Sequence, residues 1–164
     1  MTGRIVRTFL AAVALVVATG CGSGDDRAYA VTDLETGDTV SLDDLAGAPA
    51  VLVSWATWCR ECDEELASLQ AFAESPAADG VTVVAVNLDA ADVDDAIHDK
   101  IERHGLTVEL WRDRRNEFRR AFGALGVPTT VVLDADGDVV GTFPGGVASD
   151  EDALADALRR AGAG

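Results

Sequence analysis

Basic residues are scarce in this 164-residue chain: 13 stand against 29 acidic ones, and Lys100 is the only lysine among them. A formal charge of −16 repels nucleic-acid phosphates and anionic lipid headgroups, which excludes nucleic acid as a natural partner. The excess of acid reads as a solvated acidic surface. Histidine is scarcer still. His98 and His104 are the only two, they lie far along the chain from the paired cysteines, and their spacing is not that of a zinc site, so no metal is expected. Long apolar runs are also missing, since the best is the uncharged stretch Thr8–Ala18, well short of the ~20 residues a membrane span needs. There is no internal repeat. What remains, 48% apolar and 26% charged residues, is the composition of a globular protein with room for one domain and a full core.

The first twenty residues read as a leader rather than as part of the fold. Arg4 and Arg7 form a basic n-region, Thr8–Ala18 an apolar h-region, and Ala18-Thr19-Gly20 places small residues before Cys21. That ending resembles the lipobox of bacterial lipoproteins, whose Cys is acylated and becomes the mature N-terminus. Residues 1–20 are therefore expected to be a lipoprotein signal peptide and Cys21 the lipidation site. Gly22-Ser23-Gly24-Asp25-Asp26 then makes a polar tether over residues 21–28, reaching ~25 Å at full extension. Residues 29–164 would form the folded domain, held at the outer face of the cell membrane within reach of a membrane-embedded electron donor. Without the leader, 29 acids face 11 bases, a charge of −18.

With Cys21 given to lipid, Cys59 and Cys62 are the remaining thiols. A disulfide between them closes a loop too short to be a strong staple, so its value is chemical rather than structural. They follow the apolar run Val51-Leu52-Val53 in Ser54-Trp55-Ala56-Thr57-Trp58-Cys59-Arg60-Glu61-Cys62. A CxxC between a strand and a helix is a redox motif. The unpaired N–H groups of a helix N-terminus stabilise a thiolate on the first Cys, which makes Cys59 the nucleophile and Cys62 the resolving thiol. Arg60 and Glu61 oppose one another and give no net push. Trp58 is expected to form an apolar lip beside Cys59 where substrate docks.

Glu65 is separated from its acidic neighbours by helical phase. At 100° per residue it shares a side with Cys62, Leu69 and Phe72, whereas Asp63 aligns with Gln70 and Glu74, and Glu64 with Ser68. A carboxylate near the buried face has its pKa raised by desolvation and is suited to take the proton that Cys62 must lose. Three acids at a helix's positive end is the plainer reading of the same residues.

Along the rest of the chain, Thr36-Gly37-Asp38 turns between two short strands, and Val81–Val86 is a β-branched run of a strand covered on both faces. Helices are expected over Asp92–His104, Asn116–Phe122 and Ser149–Ala161, and strands over Thr107–Trp111, Thr129–Leu133 and Val139–Thr142. Asp136-Gly137 marks a hairpin. His98 and His104, on an Asp-rich helix, are read as solvated and without a role. The order of elements predicts an α/β fold: a central mixed sheet with helices on both faces, an N-terminal β-hairpin extension and a central βα insertion.

Trp55-Ala56-Thr57-Trp58-Cys59-Arg60-Glu61-Cys62 after a buried strand, the N-terminal hairpin, the extra βα unit and the later Gly126-Val127-Pro128-Thr129-Thr130 together resemble TlpA/ResA-type thioredoxin-like lipoproteins. The resemblance spans about residues 29–162. It implies a three-layer thioredoxin-like fold and a membrane-tethered thiol–disulfide oxidoreductase that needs no cofactor, with disulfide or dithiol proteins as clients. Many members are reductants in cytochrome c maturation. Carried over by position, Cys59 and Cys62 match the redox pair, Glu65 an acid three residues beyond it, and Pro128 a cis-proline that exposes the backbone of Val127 to a substrate peptide. Val53 stands where cytoplasmic thioredoxins carry a buried Asp, leaving that proton-handling role to Glu65. Arg60-Glu61 departs from the Pro-containing dipeptides common in the family, so the potential is not carried over. Two other functions fit the residues less well. One is a thiol peroxidase, which wants Pro and Thr ahead of the Cys, and only Thr57 is present. The other is a non-catalytic binding lipoprotein with a structural disulfide.

Overall fold

The computed structural model of the chain describes residues 29–163; the leader, Cys21 and the whole tether lie outside them. A seven-stranded mixed sheet carries the fold, in the order β2-β1-β5-β4-β3-β6-β7. The strands are β1 (Ala30–Asp33), β2 (Thr39–Ser41), β3 (Ala50–Trp55), β4 (Thr82–Asn87), β5 (Glu109–Arg112), β6 (Thr129–Leu133) and β7 (Val139–Pro144). Strands β3, β4 and β5 run parallel, and β6, β7 and β1 are antiparallel to their neighbours. Every residue of β3 is buried, as is all of β4 after Thr82, which is why Ala50–Val53 and Val83–Val86 are continuously apolar rather than alternating.

The two faces of the sheet build two cores. Val51, Val53 and Ala85 pack with Leu66 and Leu69 of α1 (Glu61–Ala73), Ile97 of α2 (Asp94–His104), and Leu154 and Leu158 of α4 (Glu151–Ala161). On the opposite face Leu52, Val84 and Val86 pack with Tyr29, Trp111, and Phe118 and Phe122 of α3 (Phe118–Phe122). Helix α3 is only five residues long and would not persist alone. Edge-to-face contacts among Tyr29, Phe118 and Phe122, with centroids 4.7 to 6.1 Å apart, hold it down, each adding about 0.5–1.5 kcal/mol beyond burial.

This is the thioredoxin-like α/β fold expected, with the β1–β2 hairpin and the α2–β5 unit as its additions. The boundaries differ where local chemistry intervenes. Helix α3 starts at Phe118 rather than Asn116 because Asn116 sits at φ 54°, outside right-handed helical space, while Asp113 accepts the Phe118 N–H at 2.7 Å. Strand β5 begins late because the Thr107 N–H goes to the Gln70 side chain at 2.9 Å rather than to the sheet. Asp150 caps α4 by accepting the Ala153 N–H.

Candidate active site

Strands β3 and β4 are parallel and end together, Trp55 opposite Asn87, so the segments that follow them meet at one edge of the sheet. Active sites of open α/β sheets gather at such carboxyl ends. The segment after β3 carries the redox pair, and Cys59 and Cys62 are joined as a disulfide. Arg60 already has helical dihedrals, φ −74° and ψ −40°, and lacks a capping side chain. The Cys59 sulfur supplies the missing acceptor: the Cys62 N–H points at it from 3.1 Å. A sulfur in that position satisfies one of the helix's orphan donors, and as a thiolate it would receive the same N–H as a charge-assisted bond.

Both cysteines are buried, Cys59 at 3% and Cys62 at 0% exposure, so the contrast between an open first thiol and a closed second is narrower than the motif suggests. Trp58, next to Cys59 in the chain, is 71% exposed. Across from it the Cys59 sulfur lies 3.9 Å from the Val127 carbonyl oxygen, and the Val127–Pro128 peptide is cis. Buried Ser54 fixes this approach, its hydroxyl accepting the Thr129 N–H at 3.0 Å just past Pro128. Trp58, Leu88, Asn116, Arg119, Leu125, Gly126 and Val127 enclose a groove of about 200 Å³. Leu125, 91% exposed, adds a second bare apolar side chain to it.

Glu65 is buried, and Glu64 beside it is exposed. Burial pushes the Glu65 carboxyl above its ordinary value, and the Val147 N–H, donated to Oε1 at 2.7 Å, partly offsets the push. The carboxylate fills the space in front of Gly146, where any Cβ would overlap it. The structure thus gives Glu65 a partner in the loop between β7 and α4 that the helical phase alone does not indicate.

Two further side chains grip the redox loop, each held in turn by a neighbour. Asp89, buried after β4, accepts the Thr57 N–H at 2.8 Å and the Thr57 hydroxyl at 3.0 Å, and Asn87 donates to it at 2.8 Å. Lys100 is buried on α2 and donates to the Thr57 and Cys59 carbonyls at 3.3 and 3.2 Å. Asp63 reaches α2, 3.3 Å from Lys100 and 3.1 Å from His104, and chiefly the His104 hydrogen bond lowers its pKa. His104 is therefore not a solvated bystander remote from the motif; α2 folds back and brings it to the start of α1. His98 is exposed, as expected, and holds the Asp94 carbonyl. A signal for Lys100 was present in the sequence: it lies on the stripe of Ile97, Ile101 and His104, an unusual place for a chain's single lysine.

Fold and site together define a thioredoxin-fold protein with a CxxC disulfide, related to the ResA- and DsbE-type thiol–disulfide oxidoreductases, and the disulfide in this setting supports oxidoreductase activity. The chain belongs to the AhpC/TSA family, whose sequence pattern matches residues 26–142. Thiol-disulfide oxidoreductase ResA of Bacillus thuringiensis subsp. konkukian is 30% identical over 117 residues, covering 71% of this chain and 66% of that relative, just under two thirds of its length. Sporulation thiol-disulfide oxidoreductase A of Bacillus subtilis is 23% identical over 92% of this chain and 95% of its own. Among solved structures, a candidate thiol:disulfide interchange protein DsbE from Chlorobium tepidum superposes with a TM-score of 0.69 at 28% identity, over 81% of this chain and 92% of that one.

Proposed function

We propose that the protein is an extracytoplasmic, lipid-anchored thiol–disulfide oxidoreductase that reduces disulfides in client proteins, cytochrome c maturation being one setting for such a reductant. The observation that carries this reading is the Cys59 sulfur, set between the Cys62 N–H at 3.1 Å and the Val127 carbonyl at 3.9 Å, with exposed Trp58 alongside. In the reduced protein the Cys59 thiolate attacks one sulfur of a client disulfide, forming a mixed disulfide and expelling the other sulfur as a thiolate. Cys62 then loses its proton, with Glu65 as the base, and attacks the Cys59 sulfur. The second client thiol leaves, and the Cys59–Cys62 disulfide re-forms. Two electrons pass to the client per cycle, and a membrane-embedded dithiol donor returns them. Trp58, Val127 and Pro128 form the docking face for the client peptide.

The main rival is a peroxidase, in which Thr57 would assist the attacking sulfur. The Thr57 hydroxyl is instead bound to Asp89 at 3.0 Å, which favours the disulfide reaction. An insulin-reduction assay with dithiothreitol tests the proposal. Turnover should be abolished by Cys59→Ser, and peroxide consumption should be negligible. Insulin left intact by the wild-type protein would overturn the reading, and rapid peroxide consumption would transfer it to the peroxidase.

A further inference from the structure

We infer that Lys100 is a positioning residue of the redox centre, clamping the Thr57–Cys59 loop by its carbonyls and placing a positive charge that favours the Cys59 thiolate. An ammonium group has three N–H donors. Here the acceptors are three: the Thr57 carbonyl at 3.3 Å, the Cys59 carbonyl at 3.2 Å and Asp63 Oδ1 at 3.3 Å. A lysine buried to 5% exposure is stable only when its charge is met in this way. Because Lys100 touches the carbonyl of Cys59 itself, its charge lies within one residue's dimensions of the sulfur. When the Cys59 thiol ionises, its proton goes to solvent and the charge on sulfur becomes −1.

The opposing charge is Asp63, whose Oδ1 is shared between Lys100 and His104. Lys100 and Asp63 therefore act on Cys59 with opposite signs. The other charged and titratable groups around the loop are Arg60 just ahead of α1, Glu61 and Glu65 on α1, His104 on α2, Asp89 beyond β4 and Arg119 from α3. None of these donates to the loop's carbonyls. The inference rests on Cys59 being the attacking thiol, and it assigns a determinant of that thiol's reactivity lying 41 residues away on α2.

The test compares the reduced full chain with Lys100→Met, Lys100→Arg and Asp63→Asn. Iodoacetamide alkylation of Cys59 is followed by mass mapping across pH, and the Cys59/Cys62 midpoint potential is measured in glutathione buffers. An opposite charge this close favours the ionised form by about tenfold or more. Lys100→Met should accordingly slow Cys59 alkylation at neutral pH by about tenfold, move the pH profile upward and lower the potential by about 30 mV, the value of a tenfold change for a two-electron couple. Asp63→Asn should do the reverse, and Lys100→Arg should recover part of the loss. A merely structural clamp would shift both neutralising variants the same way, and that outcome, or unchanged profiles, overturns the inference. Asp63 is half-exposed, so its variant gives a readable sign even if Lys100→Met folds poorly. Wild-type Cys59 reacting no faster than Cys62 would instead overturn the parent reading of the nucleophile.

Discussion

Gly146→Ala should destabilise the protein when residue 65 is glutamate and stabilise it when residue 65 is alanine. The Cβ would occupy the space of the Glu65 carboxylate, so either the loop shifts or the carboxylate withdraws. Overpacking a filled site costs ~1–3 kcal/mol. Withdrawal strands the buried Val147 N–H, which costs a similar ~1–3 kcal/mol. These are alternatives rather than a sum, so ~2 kcal/mol is expected, or about 6 °C of melting temperature for a domain of this size. Gly146 does not have a positive φ, so alanine meets no backbone strain there. With Glu65→Ala in place the collision is gone, and the same substitution should stabilise by ~0.4–1 kcal/mol through the unfolded chain's lost freedom. Urea denaturation of the four proteins of this cycle measures the difference. A Gly146→Ala penalty of equal size in both backgrounds would refute the contact between this glycine and the carboxylate.

Glu65→Gln should slow disulfide exchange and alter its pH dependence, whereas Glu64→Gln should match wild type; stopped-flow rates over about pH 5 to 9 compare them. The same substitution has a signature in stability. A carboxyl raised above its ordinary 4.5 holds its proton longer folded than unfolded, so stability falls as pH rises through that window, and Glu65→Gln should flatten the fall. Asp63 has the opposite sign, because its lowered value gives stability above the ordinary 3.8 that is lost as pH falls, and Asp63→Asn should remove that acid sensitivity in pH-dependent melts. Cys62→Ser should trap client proteins as mixed disulfides on Cys59, seen on non-reducing gels, and Cys59→Ser should trap few. Cys21→Ala should release the protein from membranes on fractionation, and continued membrane binding would point to an uncleaved N-terminal anchor.

The sheet and its layers were legible because β3 is a short buried apolar run and β4 a β-branched one, each bounded by turn residues or a redox motif and buried on both faces. The redox pair was legible because two cysteines at this spacing ahead of a helix have a narrow chemical meaning. The supports of the loop were not. Asp89, Lys100 and Val147 meet Thr57, Cys59 and Glu65 across 32 to 82 residues of sequence, and no local period encodes such meetings. Helical phase placed Glu65 towards the interior but could not name Val147 as its partner. It also turned Asp63 away from the core without showing that α2 covers that side, which is why His104 read as solvated.

The added α2–β5 unit has a bearing on transplantation. Lys100, on α2, occupies the carbonyls of Thr57 and Cys59, and β5 carries the β1–β2 hairpin at the sheet's edge. Moving the eight residues from Trp55 to Cys62 into a minimal scaffold would carry the thiols without their restraint. Water would solvate both carbonyls, and the loop would sample geometries that the parent forbids. A portable unit of this redox chemistry therefore has to include α2 as well as the loop, and a chimaera without it should retain a disulfide while losing the reactivity its neighbours impose.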